Sequence, residues 1–120
     1  MLTLICGMPR AGKTTYAERY DDVIHLDCLG HEAVLSIVQG RTADAVVEGV
    51  YFRAKERAQL VTAYKGNGKQ CIWIDTPLEI RKTRPLWTPH HDMNFEEPSF
   101  DEGWDEIIII RGDEIERLSK

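Results

Sequence analysis

The sequence predicts an α/β fold in which a five-stranded parallel sheet is covered by helices on both faces. Two observations support this prediction: strand-like and helix-like segments alternate along the chain, and the strands are continuously apolar instead of alternating with polar residues. A chain of 120 residues has room for one hydrophobic core and little more, so we expect one domain over residues 1–120.

Each element follows from a local pattern. Apolar runs predict five strands: Leu2–Cys6, Val23–Asp27, Ala45–Gly49, Gln70–Asp75 and Ile107–Ile110. Apolar residues near a 3.6-residue period, together with glycine or proline at the ends, predict four helices: Lys13–Tyr20, Leu29–Gln39, Arg53–Lys65 and a short one from Thr76 to Arg84. Residues 85–100 hold three prolines and are predicted to be a loop. The remainder, 111–120, is predicted to be a polar tail that is helical in part.

The most informative motif follows the first strand. Residues 7–14 fit the pattern G-x-x-x-x-G-K-[ST] between a strand and a helix, which is the context that a phosphate-binding loop requires. Glycines let the backbone turn tightly, and successive N–H groups then form a nest for an anion. Lys13 would reach the outer phosphates and Thr14 would offer its hydroxyl to Mg²⁺. The motif therefore predicts a three-layer P-loop NTPase fold that binds a nucleotide and Mg²⁺. The nucleotide-binding residues predicted in this loop are Gly7, Arg10, Ala11, Gly12, Lys13, Thr14 and Thr15.

Two acidic residues follow apolar runs at the predicted carboxyl ends of strands, where ligands bind in parallel sheets. Asp27 could accept the proton of an attacking hydroxyl or ligate Mg²⁺, and the alternative is that it caps the second helix. Glu48 could position Mg²⁺, the substrate or an arginine, and the alternative is a structural salt bridge. We assign Asp27 as a catalytic residue and Glu48, with Thr14, as a metal ligand.

Several arginines could stabilise phosphate charge. Arg81 and Arg84 are three residues apart and share a helix face, with a solvated helix as the alternative. Arg10 lies within the loop and could instead point to solvent. Arg53 and Arg57 could meet an anionic acceptor, but a solvated helix surface is the favoured interpretation.

The composition limits the classes of partner. The net charge is −5, and seven acidic residues fall between Asp92 and Glu106 without a Lys or Arg, so strong non-specific binding of nucleic acid is not expected. We interpret that acidic run as a solvated loop. No apolar run is long enough to cross a bilayer and no basic leader precedes the first strand, so we expect a cytoplasmic protein.

The three cysteines have no metal-binding spacing and are predicted to be buried free thiols: Cys6, Cys28 and Cys71. The His90-His91-Asp92 cluster lacks a spaced third ligand and is not interpreted as a metal site.

These motifs together resemble the P-loop kinase family typified by the kinase domain of bacteriophage polynucleotide kinase. The resemblance covers most of the chain and is carried by four stretches: G-M-P-R-A-G-K-T-T, V-V-E-G, W-I-D-T-P-L-E-I-R-K-T-R and F-E-E-P-S-F-D-E-G-W-D-E-I-I-I-I. It implies ATP-dependent transfer of a phosphoryl group to a hydroxyl, on a nucleic-acid end or a small molecule.

The resemblance also implies roles for individual residues. Asp27 stands where such kinases keep the carboxylate that activates the hydroxyl, Arg84 where they keep a lid arginine, and Arg111 near the adenine. Lys13, Asp27 and Arg84 are therefore the expected catalytic residues. Two departures weaken the case for a polynucleotide acceptor: Gly30 replaces the arginine that grips the acceptor phosphate, and Pro85 begins a shortened lid. An ATPase or a nucleotide-binding module without its own acceptor remains the alternative.

Overall fold

The computed structural model describes residues 1–84 and 95–120, and within them it has an α/β fold with a six-stranded sheet. A 3₁₀ turn at Phe100–Glu102 precedes the last two strands. The elements are β1 Leu2–Cys6, α1 Lys13–Ala17, β2 Ile24–His25, α2 Leu26–Leu29, α3 His31–Val38, β3 Ala45–Glu48, α4 Ala54–Ala63, β4 Lys69–Ile74, α5 Leu78–Arg81, β5 Glu106–Arg111 and β6 Glu114–Ser119.

The strand order is β2-β3-β1-β4-β5-β6, and every neighbouring pair from β2 to β5 is parallel. The five predicted strands are therefore all present and parallel. The prediction of a five-stranded, wholly parallel sheet is wrong at one edge, because β6 pairs antiparallel with β5. The predicted partly helical tail is this strand. Gly112, at φ 62°, and Asp113 form the two-residue turn that reverses the chain between the two strands.

Helices cover both faces of the sheet. Leu4 belongs to a core cluster that also contains Val34 of α3 and Leu60 of α4. The next residue, Ile5, belongs to a second cluster that contains Ala17 of α1. Because neighbouring residues of a strand point to opposite faces, α1 lies on one face and α3 and α4 on the other. The connections that leave β1 and β3 therefore run to opposite faces, which opens a crevice at their carboxyl ends.

The second strand is shorter than predicted. It ends at His25, and α2 begins at Leu26, so Asp27 lies in the first turn of a helix instead of at the end of a strand or at a helix N-cap. The Leu26 side chain, at the start of this helix, packs closely against Gly49. A Cβ added to Gly49 would lie 2.5 Å from the Cβ of Leu26. The position of Leu26 therefore requires a glycine that is distant in sequence.

Arg57 is buried, which makes the prediction of a solvated position wrong. Its side chain is 0% exposed and forms an ion pair with Glu102, with Nε 2.8 Å from Oε1. The guanidinium also donates to the backbone oxygens of Tyr51 at 2.6 Å and Glu96 at 2.7 Å. Glu102 accepts a further hydrogen bond from Trp104 Nε1 at 2.9 Å. The acidic run is therefore not wholly solvated, because Glu102 anchors it to α4.

The cysteines divide into two groups. Cys6 and Cys71 are buried free thiols, as predicted, with their sulfur atoms 3.6 Å apart. Burial raises the pKa of the Cys71 thiol well above its ordinary value. Cys28 is exposed, so its predicted burial is wrong. It lies on α2, and no residue of that helix is buried.

Several predictions fall on residues 85–94, which lie outside the described residues: the short lid after Arg84 and the His90-His91-Asp92 cluster. None of the helices that the structure describes combines the length and the apolar character needed to cross a membrane.

Candidate functional site

The loop after β1 fits tightly against the end of β4. A Cβ added to Gly7 would lie 2.5 Å from the backbone oxygen of Ile74, so only glycine fits there without displacement of the backbone. Gly12, at φ 107°, adopts a left-handed conformation immediately before α1. The two glycines of the sequence motif are therefore required by geometry.

Further contacts hold the middle of the loop. The Ala11 N–H donates to the Met8 backbone oxygen at 3.1 Å, and the Thr76 hydroxyl donates to the Ala11 oxygen at 2.6 Å. Arg10 is a non-glycine residue at φ 67°, a conformation that is strained unless the surroundings support it. The Arg84 guanidinium donates to the Arg10 oxygen at 2.6 Å and supplies that support.

The start of α1 presents unused backbone donors. Among the described residues, no carbonyl or side chain accepts a hydrogen bond from the N–H groups of Gly12, Lys13, Thr14 or Thr15. Unpaired backbone donors at the edge of a cleft can bind an anion.

Lys13 is the most buried cation of the cleft lining. Lys13 is 7% exposed, and its ammonium donates to the Met8 backbone oxygen at 3.0 Å. Burial lowers the pKa of Lys13, while the negative charges of Glu48 and Asp27 act in the opposite direction. An additional anion beside this ammonium would raise the pKa of Lys13 again and so favour its charged form.

Glu48 ends β3 and is almost completely enclosed, at 4% exposed. Its Oε1 lies 2.7 Å from Nδ1 of His25, which is the last residue of the neighbouring strand β2. The structure makes His25 the partner of Glu48, which the sequence did not indicate because 23 residues separate the two.

These residues surround one cleft with a volume of about 580 Å³. It is lined by Pro9, Arg10, Gly12, Lys13, Thr14, Thr15, Asp27, Glu48, Val50 and Arg84. The cleft thus brings together the loop, the two acidic residues and the expected lid arginine. Pro9 and Val50 were not predicted to be site residues. Pro9 lies inside the predicted phosphate-binding loop, and Val50 directly follows the third predicted strand.

Three predicted residues are not part of the lining. Gly7 and Ala11 shape the loop from beneath. Arg111 is held elsewhere: its Nε donates to Asp75 at 2.8 Å and its Nη1 to Glu116 at 3.3 Å. Both ion pairs tie this arginine to the end of β4 and to β6.

Arg81 and Arg84 differ in their surroundings. Arg81 is 5% exposed and donates from Nε to the Thr76 oxygen at 3.0 Å, so the solvated-helix alternative is wrong for it. Arg84 alone of the two lines the cleft. Arg84, which follows α5, thus connects that segment to the loop through the backbone oxygen of Arg10.

Within residues 1–84 and 95–120, no three His, Cys, Asp or Glu side chains come together as a ready-made metal site. Mg²⁺ does not need one, because it commonly uses one or two protein oxygens together with substrate phosphates and water. Thr14 and Glu48 are both in the lining and could serve in this way.

No model of a known protein family matches the chain, and no curated protein matches it.

Proposed function

We propose that the chain is an ATP-dependent phosphotransferase with a P-loop NTPase fold, which moves the γ-phosphate of ATP to a hydroxyl acceptor. One observation carries the proposal: a single cleft combines Lys13 and the unused N–H groups at the start of α1 with Asp27 and Glu48. Cations and N–H donors can bind the phosphates, whereas carboxylates can ligate Mg²⁺ or accept the hydroxyl proton.

The phosphates would occupy the loop side of the cleft. The free N–H groups of residues 12–15 would bind phosphate oxygens, and Lys13 would contact the outer phosphates. Arg84 lies over the loop backbone and would offset charge that develops on the transferred group. Mg²⁺ would be held by Thr14 and the phosphates, with Glu48 on its other side.

Asp27 would prepare the acceptor. It is exposed, it lines the cleft, and it stands on α2. The acceptor oxygen would form a bond to the γ-phosphorus while the bond to the β-phosphate oxygen breaks. ADP leaves, and the hydroxyl proton passes to Asp27. Since ATP is generated inside cells, the proposal places this reaction in the cytoplasm.

A second candidate is ATP hydrolysis or nucleotide binding without a dedicated acceptor. Gly30 supports it, because no side chain at that position can hold a second substrate. Residues 85–94 also contain no Lys or Arg, so they cannot add a second lid arginine. Water would then take the place of the acceptor, oriented by Asp27.

Labelled ATP separates the two candidates. The protein is incubated with γ-labelled ATP and Mg²⁺, first with 5′-hydroxyl oligonucleotides and then with small hydroxylated metabolites. Label in an acceptor supports the phosphotransferase, and release of phosphate alone supports hydrolysis. Asp27→Asn should abolish transfer and leave ATP affinity within about twofold, whereas the matched change Asp21→Asn, in an exposed loop, should alter neither. Transfer that survives Asp27→Asn would show that another group removes the proton.

A further inference from the structure

The segment that follows β4 holds two successive carbonyl groups of the phosphate-binding loop. The Thr76 hydroxyl donates to the Ala11 oxygen at 2.6 Å, and the Arg84 guanidinium donates to the Arg10 oxygen at 2.6 Å. Arg84 lines the cleft and already has a role in the proposed reaction. Thr76 lies outside the lining, so its contact with the loop needs a different explanation.

The bond from Thr76 fixes the direction of a backbone donor in the cleft. The peptide unit between Ala11 and Gly12 is trans and planar, so its C=O and its N–H point in opposite directions. The oxygen is directed towards Thr76, and the Gly12 N–H is therefore directed away from it. Gly12 lines the cleft, and its N–H has no acceptor in the part of the chain that the structure describes.

Glycine alone does not hold this peptide unit in place. Gly12 has φ 107°, and a half-turn of the peptide unit would move it into the negative φ region that every residue adopts. The turned unit would present the Ala11 oxygen to the cleft in place of the Gly12 N–H. A carbonyl oxygen repels phosphate, whereas an N–H binds it. The hydroxyl of Thr76 opposes this half-turn, because it would lose its acceptor.

Thr76 is itself held by a buried arginine. Arg81 is 5% exposed, and its Nε donates to the Thr76 backbone oxygen at 3.0 Å. The N–H of Arg81 donates to the oxygen of Pro77, also at 3.0 Å. The hydroxyl of Thr76 therefore meets the loop from a backbone that is fixed on its far side.

We propose that Thr76 is a positioning residue, whose hydroxyl directs the Gly12 N–H towards the phosphates of the nucleotide. This inference rests on the proposed phosphotransferase function and adds a residue that contacts the loop but not the substrate. Donors that are already aligned before the ligand arrives need no reorganisation when it binds.

Isothermal titration with ADP and with pyrophosphate tests the inference. Thr76→Val keeps the side-chain shape and removes the hydroxyl, so both dissociation constants should rise by about threefold to tenfold. Thr76→Ser keeps the hydroxyl and should stay within about twofold of the wild type. Thr83→Val is the matched control: it removes an exposed hydroxyl that donates to the Ile80 oxygen at 2.7 Å, and both affinities should again stay within about twofold. Thr76→Ala also lacks the hydroxyl and should match Thr76→Val, which covers the case in which valine disturbs folding.

Nuclear magnetic resonance gives a second measurement. Pyrophosphate should move the amide proton signal of Gly12 to lower field in the wild type and in Thr76→Ser, because this N–H then donates to an anion. The inference is overturned if the variants without the hydroxyl bind as tightly as the wild type, if Thr76→Ser binds as weakly as they do, or if the Gly12 signal does not move. Each of these results leaves phosphate binding by the wild type intact. A wild-type protein that binds neither ligand would count against the proposed function as well.

Discussion

The ion pair between Arg57 and Glu102 should be the most sensitive buried polar contact for stability. The Arg57 side chain is 0% exposed and that of Glu102 is 4% exposed. Burial lowers the pKa of Arg57, but the hydrogen bond and the charge of Glu102 outweigh this and raise it. The Arg57 guanidinium therefore stays charged, and its removal is an electrostatic perturbation.

Arg57→Met keeps most of the apolar volume and removes every donor. It leaves Glu102 enclosed, and within the part of the chain that the structure describes the carboxylate keeps hydrogen bonds from Trp104 Nε1 at 2.9 Å and the Ser99 N–H at 3.1 Å. It also leaves the backbone oxygens of Tyr51 and Glu96 without this donor. Breaking a buried pair by removal of one partner typically costs about 3–5 kcal/mol.

A loss of that size is a large part of the roughly 5–15 kcal/mol that stabilises a native domain. We expect the midpoint of thermal unfolding to fall by roughly 10–20 °C. Urea unfolding followed by circular dichroism measures the change in free energy. The double variant Arg57→Met with Glu102→Gln should recover part of the loss, because no unpaired charge then remains buried.

Arg117→Met is the matched control. It removes an ion pair with Glu106 in which the atoms are 3.6 Å apart and the side chains are 65% and 35% exposed. Such a surface pair contributes about 0–1 kcal/mol. If Arg57→Met costs no more than Arg117→Met, or if the double variant is as unstable as the single one, the argument from an uncompensated buried charge is wrong.

Three further predictions concern the cleft. Gly7→Ala should weaken ATP binding at least tenfold and lower the thermal midpoint, because its Cβ would lie 2.5 Å from the Ile74 oxygen. Gly49→Ala should displace Leu26, 2.5 Å from the added Cβ, and lower phosphoryl transfer more than ATP affinity, since Leu26 begins the helix that carries Asp27. Lys13→Met should weaken ATP binding. Folding lowers the pKa of Lys13 below 10.5, its ordinary value in the unfolded chain. Between these two pKa values the unfolded chain binds more protons than the folded one, so the free energy of unfolding rises with pH there. Lys13→Met should remove this rise and so flatten the pH dependence of unfolding.

Isothermal titration, thermal unfolding between about pH 7 and pH 10, and the labelled-ATP assay check these three predictions. Gly40→Ala is the control for the glycine changes, because Gly40 has φ 74° but no atom within 4 Å of an added Cβ. It should cost stability without loss of ATP binding. Equal ATP affinity in Gly7→Ala and the wild type would contradict the close fit of the loop. A pH dependence that is identical in Lys13→Met would show that this ammonium does not titrate differently on folding.

The sequence predicted the parallel part of the sheet because burial leaves a strong pattern. The strand β1 is buried along its whole length and β4 over its last four residues, and these stretches are almost entirely apolar. The strand β6 has no buried residue, so it carries no such pattern and was mistaken for a polar tail. A signal was present in Gly112-Asp113, since a Gly-Asp pair between two six-residue segments is typical of a two-residue hairpin turn.

The buried charges could not be predicted in the same way. Arg57 and Glu102 are 45 residues apart, and the direct neighbours of Arg57 are half-buried while those of Glu102 are exposed. A charged residue is almost never fully buried without a partner, so the local pattern favours a solvent-exposed position for both residues. Only the packing of the segment 95–104 against α4 supplies the partner. Pairing of this kind depends on tertiary contacts, which leave no periodicity in the chain.

The charge separation in the cleft has the same origin, because it depends on strand order. Along the chain, Lys13 comes first, then Asp27 and Glu48, then Arg84, so cations and carboxylates do not form blocks that indicate two sides of a site. The sheet places β3 on one side of β1 and β4 on the other, and this arrangement alone collects the carboxylates opposite Arg84. The motif therefore predicts that phosphate binds, whereas the order of the strands determines which charges surround the loop. A chain with the same motifs and a different strand order would surround the loop with other charges.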